Sequence, residues 1–406
     1  MRLPTRLPSL RRVLLLLFFV LVAAPADAQR RDNAPRRPRL PVDADSNAAA
    51  AYFKLGQDLL EREPRRAADA FYWASQLEPG WADPLYGQYA GLMLSDPRRL
   101  VLYQTGDRRT RSNPAVLRID SLYYRALRLD PFLQPRFERE IIRRYLLSAL
   151  TPEGSSGTEI SLAEFYTGTI MRDLPPLLRG RVLAGEGRLA NALREYDAAL
   201  GERRTRNSEP LRVIRHERGR LYALAGNDSM ALAELGHAIA AGEDKEQGEA
   251  LIWFYENKAV LEHSRGLVHE RRGDLAAARE SYARALVEDL SYHPAHLRLG
   301  AIALIEGDSV TALSEMRLAV ETGGDEPATR YAYARLLASL RRFPEAETEL
   351  VAVTEMAPYY ADGWLLLGMV RDWQRADATS AFRAFLERAR RDDPRRVQVE
   401  TLVSAS

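Results

Sequence analysis

The small and hydrophobic residues of this chain recur in a fixed order through its C-terminal half. Counting from Gly266, a glycine follows at the seventh position, an alanine at the twelfth and a large residue, Tyr282, at the sixteenth. The same order begins again at equal intervals, at positions 300, 334 and 368, and it also begins at positions 180 and 219 with insertions between them. Apolar positions three and four apart mark one face of a helix, and no segment alternates as a strand would. The pattern predicts short helix pairs in a nearly all-α chain.

Glycine and alanine explain why the spacing is fixed. Gly187, Gly226, Gly273 and Gly307 stand where the first helix of a pair gives way to a turn, and glycine enters the left-handed backbone region without a Cβ clash. A small residue such as Ala278 leaves room where two helices cross. One helix pair cannot bury its apolar face alone, so the pairs must stack on one another.

This 34-residue spacing resembles the tetratricopeptide (TPR) repeat. The residues that carry the resemblance are Trp364, Leu367 and Gly368 at the opening of a repeat, Ala278, Tyr282 and Ala285 in the second helix, and Pro358 at the end. The resemblance implies a right-handed solenoid of stacked antiparallel helix pairs. It also implies a protein that binds other proteins or peptides, without catalysis and without a cofactor.

Five segments follow from the position of the repeats. Residues 1–28 read as a secretory signal peptide and residues 29–46 as a disordered linker rich in arginine and proline. Residues 47–173 are expected to form degenerate helical repeats with loops, about eight or nine units counting the whole chain. Residues 174–394 form the regular array, and residues 395–406 a C-terminal tail.

The first segment has the three parts of an export signal. Four arginines precede the apolar run Val13–Ala24, and Ala26-Asp27-Ala28 supplies a cleavage site. A membrane-spanning helix needs about 20 apolar residues, and Pro25 stops this run short. We therefore expect an exported protein, periplasmic or secreted, that is not integral to the membrane after cleavage.

Composition excludes several kinds of chemistry. The chain has no cysteine, so disulfides, thiol catalysis and cysteine-ligated metals are excluded. A net charge of +2 argues against binding to nucleic acid, which needs a basic face. Phosphate loops and hydrolase nucleophile motifs are missing. His293 and His296 lie close in sequence, but a proline and a helix junction separate them, so neither a metal nor a catalytic site is predicted.

The candidate binding site is the inner wall, meaning the face made by the first helix of each pair. In the family this helix lines the groove, so the positions three before, one after and four after its small anchor should face a partner. The candidate residues are Arg181, His216, Arg220, His263, Glu270, Leu297, Tyr331 and Arg335. Arg181 and Arg220 could hold a carboxylate through paired guanidinium donors, or could be an ordinary pair that bridges repeats.

Two other functions stay open at this point. An envelope polymer or glycan could stack on Trp253, Phe254 and Tyr255, which cluster in the insertion between the repeats that begin at Gly219 and Gly266. An enzyme would need a pocket with converging polar groups in the irregular region 95–173.

Overall fold

The computed structural model describes residues 34–96, 114–151, 155–206, 211–243 and 258–405. These residues contain nineteen α-helices and no strand. The helices are α1 (Ala49–Leu59), α2 (Pro64–Leu77), α3 (Ala82–Ser95), α4 (Pro114–Leu129), α5 (Glu138–Leu150), α6 (Gly157–Arg172), α7 (Pro176–Gly185), α8 (Leu189–Arg206), α9 (Leu211–Leu224), α10 (Asp228–Glu243), α11 (Lys258–Arg271), α12 (Leu275–Glu288), α13 (His293–Ile305), α14 (Ser309–Thr322), α15 (Pro327–Ser339), α16 (Phe343–Met356), α17 (Ala361–Trp373), α18 (Thr379–Arg388) and α19 (Arg395–Ala405). The signal peptide and the aromatic cluster 253–255 lie outside the described residues.

Helices α7 to α18 form six consecutive antiparallel pairs, which confirms the prediction of an all-α repeat solenoid. The second-helix alanines of the six pairs are all fully buried: Ala192, Ala231, Ala278, Ala312, Ala346 and Ala381. A large side chain of the partner helix packs against the glycine of the first helix. A Cβ on Gly180 would lie 2.8 Å from the Tyr196 ring, and one on Gly219 would lie 2.9 Å from Leu235. Small residues therefore set how closely each pair packs.

The last pair departs from the predicted register. In the last repeat the sequence pattern slips by one residue, so that it matches Ala381 to the small residue and Phe385 to the large residue of the second helix. In the structure the ring that covers Gly368 belongs to Phe382, although Phe385 is also fully buried. Helix α18 begins later than the 34-residue period requires, so its faces are rotated relative to the earlier second helices.

The turns within the pairs use the left-handed region as expected. Gly187, Gly226 and Gly307 have φ of 76°, 75° and 81°. In the last two pairs the position belongs to Arg341 and Arg375, each with φ of 58°. Arginine has a Cβ, so it occupies this region at a cost of about 1 kcal/mol that glycine does not incur.

The N-terminal helices share one core of their own. Phe71, Tyr86 and Phe137 are buried together, and the rings of Phe71 and Phe137 lie 5.4 Å apart. Two predicted boundaries need correction here. The predicted linker is held to the fold at two residues, because Leu40 contacts this core and the Asp45 carboxylate accepts a hydrogen bond from the amide of Arg391 at 2.7 Å, while residues 41–43 are exposed. The predicted tail is largely helix α19, whose Val399 is buried against the last pair.

The N-terminal helices also pack back onto the C-terminal repeats. The ring of Trp73 lies 4.9 Å from the ring of Tyr359, edge to face. Arg125 on α4 donates two hydrogen bonds to the Glu326 carboxylate, at 2.6 and 3.0 Å. The Asn47 amide donates to the carbonyls of residues 387 and 389 at 2.8 and 3.2 Å. All these contacts lie within one compact unit that begins at Pro38.

The residues of the array that meet the N-terminal helices recur once per repeat. Tyr292, Glu326 and Tyr360 recur at the interval of the repeat, and each precedes a first helix. Burial raises the pKa of Tyr292 and of Tyr360. Tyr124 lies near enough to Tyr292, and Glu78 near enough to Tyr360, to raise these pKa values further. We call this row of loop residues the docking edge, because the N-terminal helices lie against it.

Candidate functional site

The inner wall of the first two regular pairs is occupied by the chain itself. Residues 130–137, which connect α4 to α5, run across α7 and α9 together with the first two residues of α5. The side-chain amide of Gln134 donates to the carbonyls of Ala184 and Gly185 at 3.0 and 3.1 Å. Arg139 pairs with Glu186 at 2.9 Å. We call residues 130–139 the wall segment.

Adjacent residues of the wall segment enter two different cores. Phe132 packs against an apolar cluster of the array that includes Leu235 and Val268. Leu133, the next residue, is 1% exposed and belongs to the N-terminal core. The wall segment therefore joins the N-terminal helices to the array by side chains as well as by hydrogen bonds.

Arg220, one of the candidate anchors, binds the wall segment. It is 9% exposed, and its guanidinium donates a hydrogen bond to the carbonyl of Leu133. Burial raises the pKa of the neighbouring Asp130, while the amide of Phe132 and the Arg220 guanidinium lower it in part. The inner wall thus places an arginine beside a carboxylate, and that carboxylate belongs to the same chain.

Arg181, the second arginine anchor, forms an ion pair between neighbouring repeats. Its guanidinium lies 2.6 Å from the Glu217 carboxylate, which also accepts a hydrogen bond from Tyr196 at 2.5 Å. Burial alone would lower the pKa of Arg181, but Glu217 outweighs it, so the pKa is raised. Burial raises the pKa of nearby Glu138, which accepts a hydrogen bond from Tyr86 at 3.2 Å. Arg181 and Arg220 both act on this buried carboxylate, because each guanidinium lowers the pKa of Glu138 in part.

The two histidine candidates are core residues. His216 and His263 are 0% and 2% exposed. The hydroxyl of Tyr292 lies 3.4 Å from Nδ1 of His263, and the Tyr282 ring lies 5.5 Å from its ring. Burial lowers the pKa of His263 to about 3, so the ring is neutral at ordinary pH. Neither side chain offers its surface to a partner.

The pair His293 and His296 is also buried. Nδ1 of His296 lies 2.7 Å from a carboxylate oxygen of Glu315, within hydrogen-bonding distance. Burial, with Arg128 nearby, lowers the pKa of His293 to about 4. No group of three or more metal-ligating side chains occurs in the part of the chain that the structure describes.

The remaining candidates leave part of the inner wall open. Glu270 accepts a hydrogen bond from Tyr282 at 2.7 Å and is half-buried. Leu297 is half-exposed and Arg335 is exposed. Tyr331 is half-exposed and lies edge to face with Tyr360, with ring centres 5.2 Å apart. We call Leu297, Tyr331 and Arg335 the open wall.

The sequence identified residues of the inner wall but did not predict that the wall segment covers part of it. The wall segment carries no repeat signature, and its contacts join parts of the chain that are distant in sequence, such as Leu133 and Arg220. The one available signal was the short Pro131–Pro135 segment between two helical patterns, since prolines favour an extended chain. Glu217, the ion-pair partner of Arg181, was also missed because it lies outside the three positions used to define the wall.

Comparison with known proteins finds matches among solved structures alone. No protein-family model matches the chain, and no curated protein matches it. Among solved structures, YrrB, described as a TPR protein with an unusual peptide-binding site, is 17% identical with a TM-score of 0.38, over 51% of this chain and 97% of that one. A TPR protein from Parabacteroides merdae is 12% identical with a TM-score of 0.36, over 76% and 98%. Cut9–Hcn1 of the APC/C is 13% identical with a TM-score of 0.39, over 88% and 75%.

These likenesses are too distant to carry an argument about function. The fold rests on the chain's own geometry, in which helix pairs of TPR spacing stack with buried glycine and alanine anchors. The chain is therefore a helical-repeat solenoid of the TPR type. In the residues that the structure describes, we find no helix with the length and apolar character to cross a bilayer.

Proposed function

We propose that this protein is a non-catalytic interaction scaffold that binds an extended peptide or a protein surface along the inner wall. The observation that carries the proposal is that the inner wall already holds an irregular connecting segment of the same chain. Gln134 bonds to wall carbonyls, Arg220 bonds to a carbonyl of the wall segment, and Phe132 enters an apolar cluster. Stacked repeats are well suited to this use, because their first helices present a continuous surface.

The open wall is where a separate partner would bind. It combines an aromatic ring, an aliphatic side chain and an exposed guanidinium at the next positions of the same face. A few aromatic and arginine side chains usually carry most of the binding free energy at such surfaces. Arg335 favours a partner with a carboxylate near an apolar side chain.

We further propose that the protein acts outside the cytoplasm, in the cell envelope. The support is the arginine-rich start, the short apolar run and the Ala-x-Ala site within residues 1–28. The mass of the protein recovered from the envelope tests this, because cleavage after Ala28 leaves Gln29 as the first residue. An unprocessed chain that stays in the cytoplasm would refute the proposal.

Site-specific photo-crosslinking in cells tests the binding function. A photoreactive residue at position 331 should capture a partner, and the yield should fall with the added substitution Arg335→Glu. The matched control is the same photoreactive residue at position 287, where Val287 is 81% exposed on the second helix α12. Equal capture from positions 331 and 287, or capture that is insensitive to Arg335→Glu, would contradict a partner site on the open wall.

The binding of an envelope polymer stays an alternative prediction. It depended on Trp253, Phe254 and Tyr255, which lie outside the described residues. Replacing all three by alanine should leave partner capture at position 331 unchanged if the open wall is the site.

A further inference from the structure

A buried histidine lies where α4 meets the docking edge. His293 follows Tyr292 in the sequence, is 3% exposed, and packs on the backbone of Gly323, where a Cβ would clash with the His293 ring. The guanidinium groups of Arg128 and Arg125 on α4 lie near enough to lower the pKa of His293, although burial lowers it more. A titratable side chain of the array therefore lies beside two permanent positive charges of the N-terminal helices.

The docked arrangement is poorly suited to a protonated His293. A protonated imidazole ring donates hydrogen bonds from both of its nitrogens. Nδ1 of His293 is buried, and among the described residues no group accepts a hydrogen bond from it. A buried donor without an acceptor costs free energy, so the geometry keeps the ring neutral while α4 is docked.

Two carboxylates of the loop before α15 lie near this ring, but they do not balance a proton on it. Glu326 already accepts two hydrogen bonds from Arg125. Asp325 raises the pKa of His293 in part, but it is exposed, and water and salt weaken its charge. Burial and Arg128 therefore outweigh the carboxylates.

Two other histidines of the array also act against protonation of His293. His296, on the same helix α13, lowers the pKa of His293 and lies against Glu315 of α14. His263 on α11 is buried, and His293 in turn lowers the pKa of His263. The groups that face His293 from α4, α11 and α13 are thus all basic.

We propose that the contact between α4 and the docking edge is an acid-sensitive latch, in which a proton taken up by His293 releases the N-terminal helices from the edge. Helix α4 packs on α3 within the N-terminal core, so these helices leave together. Release exposes the ring to water and separates it from Arg125 and Arg128. The latch goes beyond the proposed binding function, because it lies on the docking edge and not on the inner wall.

The size of the effect follows from two pKa values of His293. The pKa is about 4 in the docked protein and about 6.5 in an exposed ring. The neutral ring therefore favours docking above about pH 6.5, and this contribution is lost as the pH falls towards about 4. The ratio of released to docked protein should rise about 50-fold between pH 7 and pH 4.5.

Thiol labelling tests the proposal, because the chain has no cysteine of its own. Ala357 is 3% exposed and lines a cavity together with Leu122 and Arg125 of α4. In an Ala357→Cys variant, the thiol should react with a pyridyl disulfide when the N-terminal helices are released. Its rate is divided by that of Thr348→Cys, an exposed site on α16, so that the pH dependence of the thiol itself cancels. This relative rate should rise about 50-fold from pH 7 to pH 4.5.

Substitutions in the Ala357→Cys background identify the group that takes up the proton. His293→Gln should remove the rise, because glutamine does not titrate, whereas His237→Gln, at an exposed position of α10, should retain it. Arg128→Met should reduce the rise because it removes a positive charge beside the ring. Arg118→Met, at an exposed position of α4, should leave the rise unchanged.

A third cysteine distinguishes release from unfolding of the array. Ser281 is 0% exposed on α12, so Ser281→Cys should react only when the array itself opens. A relative rate at position 357 that does not rise in acid, or that rises equally with His293→Gln, would overturn the proposal. An equal rise at position 281 would also overturn it, because acid would then unfold the array as a whole.

Discussion

The ion pair between Arg125 and Glu326 should be the strongest single link between the N-terminal helices and the docking edge. The two side chains are 201 residues apart in the sequence and share two hydrogen bonds. The Glu326 side chain is 6% exposed and the Arg125 side chain 36%. Two unit charges about 4 Å apart attract by about 4 kcal/mol at an effective dielectric constant of about 20. The cost of removing them from water offsets part of this, so we expect a coupling of about 2 kcal/mol.

A double-mutant cycle measures this coupling. Arg125→Met and Glu326→Gln are made singly and together, and the free energy of unfolding of each protein is obtained from urea denaturation. Each single substitution should cost about 2–3 kcal/mol, and the second substitution should cost much less once the first is present. Arg125→Met should be the more damaging, because it leaves the Glu326 carboxylate buried without its partner.

A second ion pair of the same chain provides the control. Arg317 and Glu321 lie 3.6 Å apart on α14, with side chains 63% and 59% exposed. Exposed pairs of this kind couple by less than about 0.5 kcal/mol. If the Arg125–Glu326 cycle gives a coupling no larger than the Arg317–Glu321 cycle, the N-terminal helices do not dock as the structure shows.

Three further predictions concern the repeats. Arg341→Gly should stabilise the protein by about 0.5 kcal/mol and Gly273→Ala should destabilise it by about 1 kcal/mol, because both positions have positive φ; urea denaturation of the two variants would contradict this if the changes had the same sign. Ala278→Trp should lower stability by about 1–3 kcal/mol through overpacking of a fully buried site, and an unchanged thermal midpoint would show that the assigned register is wrong. The pKa of His293 is lowered to about 4 by burial, so the folded protein holds it neutral while the unfolded chain takes up a proton below about pH 6.5. The neutral His293 side chain should therefore contribute about 3 kcal/mol to the free energy of unfolding above about pH 6.5, and this contribution should be lost as the pH falls towards about 4. The difference in the free energy of unfolding between the protein and His293→Gln should shrink over that range.

The repeat array could be predicted from sequence because its determinants are local and periodic. Each glycine or alanine anchor reports a close helix crossing within a single repeat, so Gly266 and Ala278 fix the pair without knowledge of the rest. The same reasoning placed Arg181 and Arg220 on the inner wall.

The occupant of the wall could not be predicted from sequence in this way. The wall segment and the docking edge bring together residues from distant parts of the chain, and a single sequence shows no spacing that connects Arg220 with Leu133. An arginine at position 220 gives the same sequence signal whether its side chain faces solvent, a partner or a buried carbonyl. Its role depends on where the N-terminal helices fold.

The return of the N-terminal helices to the docking edge also fixes how many repeats the chain can have. An open array gains or loses one unit at little cost, because each unit contacts only its neighbours. Here Trp73, Arg125 and Asn47 meet partners in three different C-terminal units. One repeat unit inserted or deleted between α7 and α18 would move all three contacts apart at once. The number of repeats is therefore limited by this closure, a constraint that does not apply to an open repeat array.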